Sequence, residues 1–590
     1  MTHRYLFAAL GMLALASGGQ AATSCRVSAI VTLPVTMSGL RPLVRAQING
    51  KDATFIADSG AWFSMISPGS AAEYGLSLEH LPPGFRMTGV GGSITPMLTT
   101  VKTFTFAGVP VPRVQFLVGG SEVGSVGLLG QNVLALADAE FDLARGAIRL
   151  MRSDGCSSKA NLAYWLAPGE AYSMLDTERM SSERPHIVAS ISVNGVKLRA
   201  LFDTGASTSF VSLKAAARIG LKPGNPDVKP AGASSGLGRA MVPTWIGPVA
   251  SIKIGDEEIR NTRLRFGGDF TDADMLVGAD FFLSHRVYWS DKLHKLFFTF
   301  NGGHVFDLRY LRDRDGDDAR EPAKVPPPAA ADELPTDAAG FSRRGGARAA
   351  RGDFAGGLAD LDQAVKLAPD NVDYLWQRAQ LHLQMRQPLQ AVDDAARVLK
   401  LKPDHVDALL MRAGVRRSLD RDADVRSDID AAAAAASKSS DRRLAIAGSY
   451  SGLGEYQRAA EQYSLWLAAH PDDNKKVVAL NGRCWANAMA GKDFDRALKD
   501  CNAALAIRPH TASFLDSRGM VRVRMGDYAR AIVDYDEALA ASPNAAWSHY
   551  GRGIARIRLG QKQEGEADLA RAKALDATLP AEAAKLGLVP

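Results

Sequence analysis

Apolar and polar positions alternate in VRAQI (44–48) and again in DATFIA (52–57), with Asn49-Gly50 between the two runs. The same pattern fills VASISV (188–193) and VKLRALF (196–202), with Asn194-Gly195 between them. A period of two predicts strands, and Asn-Gly between two such runs predicts a tight hairpin. Each hairpin runs directly into a turn, Asp-Ser-Gly-Ala at 58–61 and Asp-Thr-Gly-Ala at 203–206, 145 residues apart. Two further landmarks follow in the same order. TGVGG (88–92) corresponds to SGLGR (235–239), and GLLGQNVL (127–134) to MLVGADFF (275–282). A closing strand ends each half, AIRLM (147–151) and KLFFTF (295–300). Residues 25–155 and 185–305 are therefore read as two copies of one β-rich unit, joined by 156–184.

The remainder of the chain follows a different period. Pro369 and Pro403 are 34 residues apart, as are Pro509 and Pro543, and Pro471 lies two periods beyond Pro403. GDF, GEY, GKDF and GDY recur at 352, 454, 491 and 526, and Ala391, Ala459, Ala497 and Ala531 share one position of the period. This pattern resembles the tetratricopeptide repeat, which implies stacked helical hairpins. Seven copies are predicted over 338–579, with a short tail at 580–590 and a charged Pro/Ala-rich linker at 306–337.

With 590 residues, 46% of them apolar, the chain is too long for one core and has the composition of globular protein. A net charge of +6 without a basic cluster interleaved with aromatics argues against a nucleic-acid partner. Residues 1–22 have a short basic start, an apolar run and small residues around Ala21 and Ala22, the pattern of a secretory signal peptide. The alternatives are an uncleaved anchor or a lipid on Cys25, the latter disfavoured because ATSC lacks the usual leucine. With no further long apolar segment, the mature protein is expected to be exported, periplasmic or extracellular, without a membrane span. An even number of cysteines then suggests disulfides. Four cysteines allow three pairings, and the layout favours Cys25 with Cys156 and Cys484 with Cys501. The absence of CxxC and of nearby histidines argues against zinc, and neither metal nor cofactor is expected.

Two Asp-Ser/Thr-Gly loops in two copies of one unit would face each other across a pseudo-twofold axis. Their carboxyls, Asp58 and Asp203, could not both ionise at close range and would share a proton. One would act as base on a water while the other protonates a substrate carbonyl. Ser59 and Thr204 could bond across the axis. Gly60 and Gly205 would leave room at the carboxyls, and Gly130 and Gly278 would let a strand pass close beneath each loop. Gly89, Gly91, Gly92, Gly236 and Gly238 mark two hairpin tips suited to act as flaps. Together these residues resemble the retropepsin-like aspartic proteases, in particular bacterial exported ones with both halves on one chain. The resemblance implies a bilobal all-β acid-protease fold, an extended polypeptide substrate, and a monomer that is its own pseudodimer. It departs from the family in Asp-Ser-Gly at the first loop and in Trp62 after Ala61. Because Ala61 and Ala206 have no hydroxyl to donate to the carboxylates, a mildly acidic to near-neutral optimum is expected. The alternatives are a peptide-binding scaffold that keeps the motif without turnover, and halves that become active only by dimerising.

The repeats carry no catalytic cluster and are expected to dock a protein partner. Arg344, Arg378, Arg412, Arg483, Arg518 and Arg552 share one position on first helices. Asp360, Asp394, Asp428, Asp500, Asp534 and Asp568 share one on second helices. The fourth copy loses both, with Ile446 and Gln462 in their place. Joint presence and joint loss predict structural Arg–Asp pairs rather than a basic groove.

Overall fold

The computed structural model describes residues 25–121, 124–167, 169–180, 186–238, 240–270, 273–303, 305–306, 335–418 and 422–590. The expected signal peptide and most of the expected linker lie outside them. The chain divides into two compact units after Arg397.

The first unit begins with two β lobes built alike. Strand Arg41–Ile48 pairs antiparallel with Lys51–Ala57, Leu43 opposite Ile56. Strand Val188–Val193 pairs with Val196–Phe202, Val188 opposite Leu201. Both turns are left-handed at the Asn-Gly pair, with φ of 51° and 81° at Asn49 and Gly50, and 50° and 78° at Asn194 and Gly195. That geometry matches the strand twist, which is why Asn-Gly is used. In each lobe a short strand then runs parallel to the hairpin's second strand, Gly127–Leu129 beside Phe55–Ala57 and Met275–Val277 beside Ala200–Phe202. Long hairpins complete the lobes, Met97–Phe106 with Val109–Val118 and Val242–Ile254 with Glu257–Gly267.

The lobes are joined through their closing strands. Asp138–Asp142 pairs antiparallel with His285–Ser290, placing Ala139 opposite Trp289 and Phe141 opposite Val287. Buried charges reinforce this seam. Glu140 and Asp142 are fully buried and meet Arg149 and Arg286, and Glu140 accepts from Arg149 at 2.6 Å and from Arg286 at 2.8 Å. The Arg286 guanidinium also lies 4.4 Å from the Trp165 ring, which ties the inter-lobe connection to the seam. Cys25 and Cys156 are bonded, joining the chain just before the first strand to the chain just after Ala147–Asp154.

Among the described residues fifteen helices follow, from Ala338–Ala350 to Leu579–Lys585. The first of them is part of the first lobe's core. Ala347 and Ala350 are buried in one apolar cluster with Leu33, Val35, Met37 and Leu143. The Arg343 side chain covers Gly146, whose φ of +67° and lack of Cβ permit that approach.

Each named arginine of the repeats meets its aspartate. In the first unit Arg344 grips Asp360 at 2.8 and 2.6 Å, and Arg378 grips Asp394 at the same distances. In the second unit Arg412 pairs with Asp428, Arg483 with Asp500, Arg518 with Asp534 and Arg552 with Asp568. The aspartates are buried, and four accept a second arginine one turn on, Arg348, Arg416, Arg522 or Arg556. Where the fourth copy lacks the pair, Ile446 is fully buried. Arg443 bonds Gln462 at 2.6 Å and the carbonyls of Ala433 and Ser437 at 2.9 Å instead. Cys484 and Cys501 are bonded across the fifth hairpin.

Candidate active site

Each active loop is suspended from its own lobe. The Asp58 N–H donates to Leu129 O at 2.9 Å and the Asp203 N–H to Val277 O at 2.8 Å, so the parallel strand beneath sets the height of each aspartate. A Cβ at Gly130 would run into the backbone of Ala61 and Phe63, and one at Gly278 into that of Thr208 and Ala206. Only glycine lets the strand pass that close.

The loops are locked to each other by two hydroxyls. Ser59 Oγ donates to Phe202 O at 2.8 Å and accepts from the Thr204 N–H at 2.9 Å. Thr204 Oγ1 donates to Ala57 O at 2.7 Å and accepts from the Ser59 N–H at 3.0 Å. Both side chains are fully buried. Four bonds thus cross the pseudo-twofold axis, and each hydroxyl uses donor and acceptor together.

This lock brings the two carboxyls together. A Cβ at Gly60 would collide with the carboxyl of Asp203, and one at Gly205 with that of Asp58. Each Oδ1 accepts two N–H groups of its own loop, from Gly60 and Ala61 at 3.0 and 2.8 Å and from Gly205 and Ala206 at 2.9 and 3.1 Å. The two carboxyls are close enough to interact directly and share a proton. Burial pushes the Asp58 carboxyl well above the ordinary value, and the Asp203 charge and hydrogen bond push it further. Burial raises Asp203 too, but the hydrogen bond from Asp58 and two backbone N–H groups oppose the rise. Burial thus holds both carboxyls above the ordinary value, so the pair shares one proton.

The two hairpin tips meet. The Gly238 N–H donates to Val90 O and the Ala240 N–H to Gly91 O, both at 3.0 Å. A Cβ at Gly89 would press on Leu237, one at Gly236 on Val90, and one at Gly238 on the backbone of Gly91 and Gly92. Leu237 packs into a first-lobe cluster with Trp62, Phe63, Phe85, Met87 and Ile94. The Trp62 ring lies tilted against Phe63 and Phe85, at 5.7 and 6.1 Å between ring centroids. Its counterpart in the second lobe is Ser207, so the lips of the two loops differ.

One pair of supports escaped the sequence reading. Asn132 Oδ1 accepts the N–H and hydroxyl of Ser64 at 2.7 and 2.8 Å. In the second lobe the Asp280 carboxyl accepts the same groups of Ser209 at 2.9 and 2.7 Å. Ser64 and Ser209 Oγ then accept the N–H of Gly130 at 3.0 Å and of Gly278 at 2.9 Å. Aligning GQNVL with GADFF puts Asn132 against Asp280, which was the available signal. Burial pushes Asp280 up to about 6 against the opposing bonds from Ser209.

Residues 44–133 match the family described as "Aspartyl protease", and residues 189–284 the family described as "gag-polyprotein putative aspartyl protease". Residues 519–560 match "TPR repeat". The chain thus joins two aspartyl protease domains, one in each β lobe, to tetratricopeptide repeats. No curated protein matches the sequence. Among solved structures, similarity is found to a tetratricopeptide repeat protein from Parabacteroides merdae (21% identity over 38% of this chain and 86% of that one, TM-score 0.26). Similarity is also found to PilW, a type IV pilus biogenesis factor (17% identity, 34% and 92%, TM-score 0.29).

Proposed function

We propose that this protein is an exported aspartic endopeptidase in which Asp58 and Asp203 are the catalytic residues. The observation that carries this reading is the pair of buried carboxyls from separate lobes, each so close to the other's loop that only glycine fits at positions 60 and 205. A water between them would lose a proton to the ionised member of the pair as its oxygen attacks the scissile carbonyl, while the protonated member protonates the carbonyl oxygen. The resulting gem-diol returns a proton to the carboxylate that gave one up, and the other carboxyl delivers the proton it took from water to the departing amine. Water is added across the C–N bond and both aspartates regain their starting states. The meeting tips would cover an extended substrate and must part to admit it.

Two disulfides support export into an oxidising compartment. Among the described residues no helix is long and apolar enough to cross a membrane. The repeats are assigned to docking of a protein partner or substrate. The test is cleavage of an unfolded protein mixture from pH 3 to 8 by the mature protein and by Asp58→Asn and Asp203→Asn. The expected result is cleavage by the native protein and none by either variant. Equal inertness of all three, with the fold intact, would overturn the enzyme reading in favour of a peptide-binding scaffold.

A further inference from the structure

Residues 579–590 follow the last hairpin and return across the repeats before it. In the second unit the first helices of successive repeats lie against one another, Lys476–Ala490 against Ala512–Met525 and the latter against Ala546–Arg558. These helices therefore form the inner face of the stack. Three side chains from that face hold the main chain of the returning segment. Arg524 Nη2 donates to Leu586 O at 2.6 Å, and the Tyr550 hydroxyl donates to Leu588 O at 3.0 Å. Arg558 Nη2 reaches Val589 O at 3.5 Å. Leu588 is buried, in one apolar cluster with Leu579, Ala583, Met520, Tyr550 and Ile554. The segment thus lies over the sixth and seventh repeats, held by its carbonyls and by one buried leucine.

This occupant leaves the charges of the face unmatched. Arg524 also donates to Ala488 O at 3.1 Å and to Met489 O at 3.4 Å, so its partners among the described residues are neutral carbonyls. Burial lowers its guanidinium from the ordinary value. Arg558 lies 34 residues on, at the same position of the next repeat, and is exposed. By contrast, Arg518 and Arg552 on the same two helices each grip a buried aspartate. A carboxylate satisfies a guanidinium better than single carbonyls do, because it can accept two parallel N–H bonds. The segment has a place for one. Gly587 is exposed, and a Cβ added to it would lie 3.9 Å from Arg524 Nη1. Its φ is +68°, a left-handed conformation that aspartate and asparagine tolerate better than other side chains.

We propose that the inner face of the last two repeats docks a partner segment of the form Leu-Asp-Leu, and that the chain's own Leu586-Gly587-Leu588 fills this site as a weaker, displaceable ligand. The partner's aspartate takes the place of Gly587 and pairs with Arg524, and its second leucine takes the place of Leu588. The inference rests on the docking role given to the repeats and is independent of the endopeptidase reading.

The experiment reads fluorescence anisotropy at low salt, where screening is weak. The probes are labelled peptides copying residues 579–590, with Asp or Asn in place of Gly587. The attached segment competes at high effective concentration, so native full-length protein should bind either peptide weakly. Leu588→Asn in the full-length chain removes the apolar anchor and should tighten binding of the Asp peptide about tenfold or more. On that variant the Asp peptide should bind roughly three- to fivefold tighter than the Asn peptide, as for one partly exposed ion pair. Adding Arg524→Gln should bring that ratio to about one. Full-length Gly587→Asp gives the attached segment the ion pair and should bind the Asp peptide more weakly than native protein does. If Leu588→Asn lowers the melting temperature but admits neither peptide, the segment is a structural cap, and the proposal fails together with docking at this face. Equal binding of the Asp and Asn peptides overturns the proposal and leaves docking standing. Should Leu588→Asn fail to fold, Gly587→Asp decides, since an affinity equal to that of native protein overturns the proposal. Cleavage of unfolded protein by the native chain reports on the endopeptidase reading alone.

Discussion

At the scale of single residues, the active loops depend on two hydroxyls with every bond used. Thr204→Val keeps the shape but leaves Ala57 O without a donor and the Ser59 N–H without an acceptor. Each orphaned buried group costs about 1–3 kcal/mol. The variant should melt well below the native protein, and kcat/KM should fall at least tenfold because the loops lose their mutual reference. Thr204→Ser, which can restore both bonds, should recover most of each, and calorimetry with peptide kinetics would show it. Asp280 yields a prediction of opposite sign. Its folded pKa of about 6 lies above the ordinary 3.8, so between these values the native state holds a proton that the unfolded chain releases. Stability from this group is therefore greatest at low pH and declines as pH rises through that window. At neutral pH the buried charge costs about 3 kcal/mol. Asp280→Asn copies the first lobe, where Asn132 accepts the same two bonds. It should raise stability above pH 6, leave it nearly unchanged at pH 4, and flatten the slope between. A melt series that keeps the native slope would refute this.

At the scale of elements, the helix Ala338–Ala350 belongs to two structures at once. It opens the helical region by sequence, yet Ala347 and Ala350 fill the first lobe's core. A chain ending at residue 306 would expose Leu33, Met37 and Leu143. It should aggregate or melt far below a chain ending at residue 370, which retains the helix and its hairpin partner. Equal melting temperatures for the two truncations would show that the helix is dispensable. The fifth hairpin carries the other elemental clip. Replacing Cys484 and Cys501 together with serine removes a cross-link closing a short loop, at a cost of about 3 kcal/mol. Chemical denaturation of the native and double-variant proteins would read that loss.

For the whole molecule, the pH profile reports the two lobes acting as one site. The pair works with one carboxyl protonated and the other ionised, so activity falls as pH rises through the higher step and as it drops through the lower. Burial raises both carboxyls above the ordinary carboxylate value. The optimum should therefore lie above pH 4, in the mildly acidic to near-neutral range. A maximum below pH 4 would show that burial does not dominate the pair.

Much of this protein is written locally. Alternation, Asn-Gly and the duplicated Asp-Ser/Thr-Gly loops expose both lobes, because strand period and left-handed turns are decided by nearest neighbours. The Arg and Asp positions of the repeats were equally legible, since joint presence and joint loss betray a contact without coordinates. Asn132 and Asp280 were visible in the alignment but silent in role, because neither serine partner carries a motif. Three features needed the tertiary structure. The seam at Glu140 and Arg286 joins strands 146 residues apart, and nothing in either strand names its neighbour. The burial of Ala347 and Ala350 against Met37 depends on how the first helix approaches the lobe, and two alanines on a helix face look the same in either setting. The raised pKa of the Asp58–Asp203 pair arises from desolvation and mutual proximity, which exist only after two loops with nearly identical sequences have been pressed together.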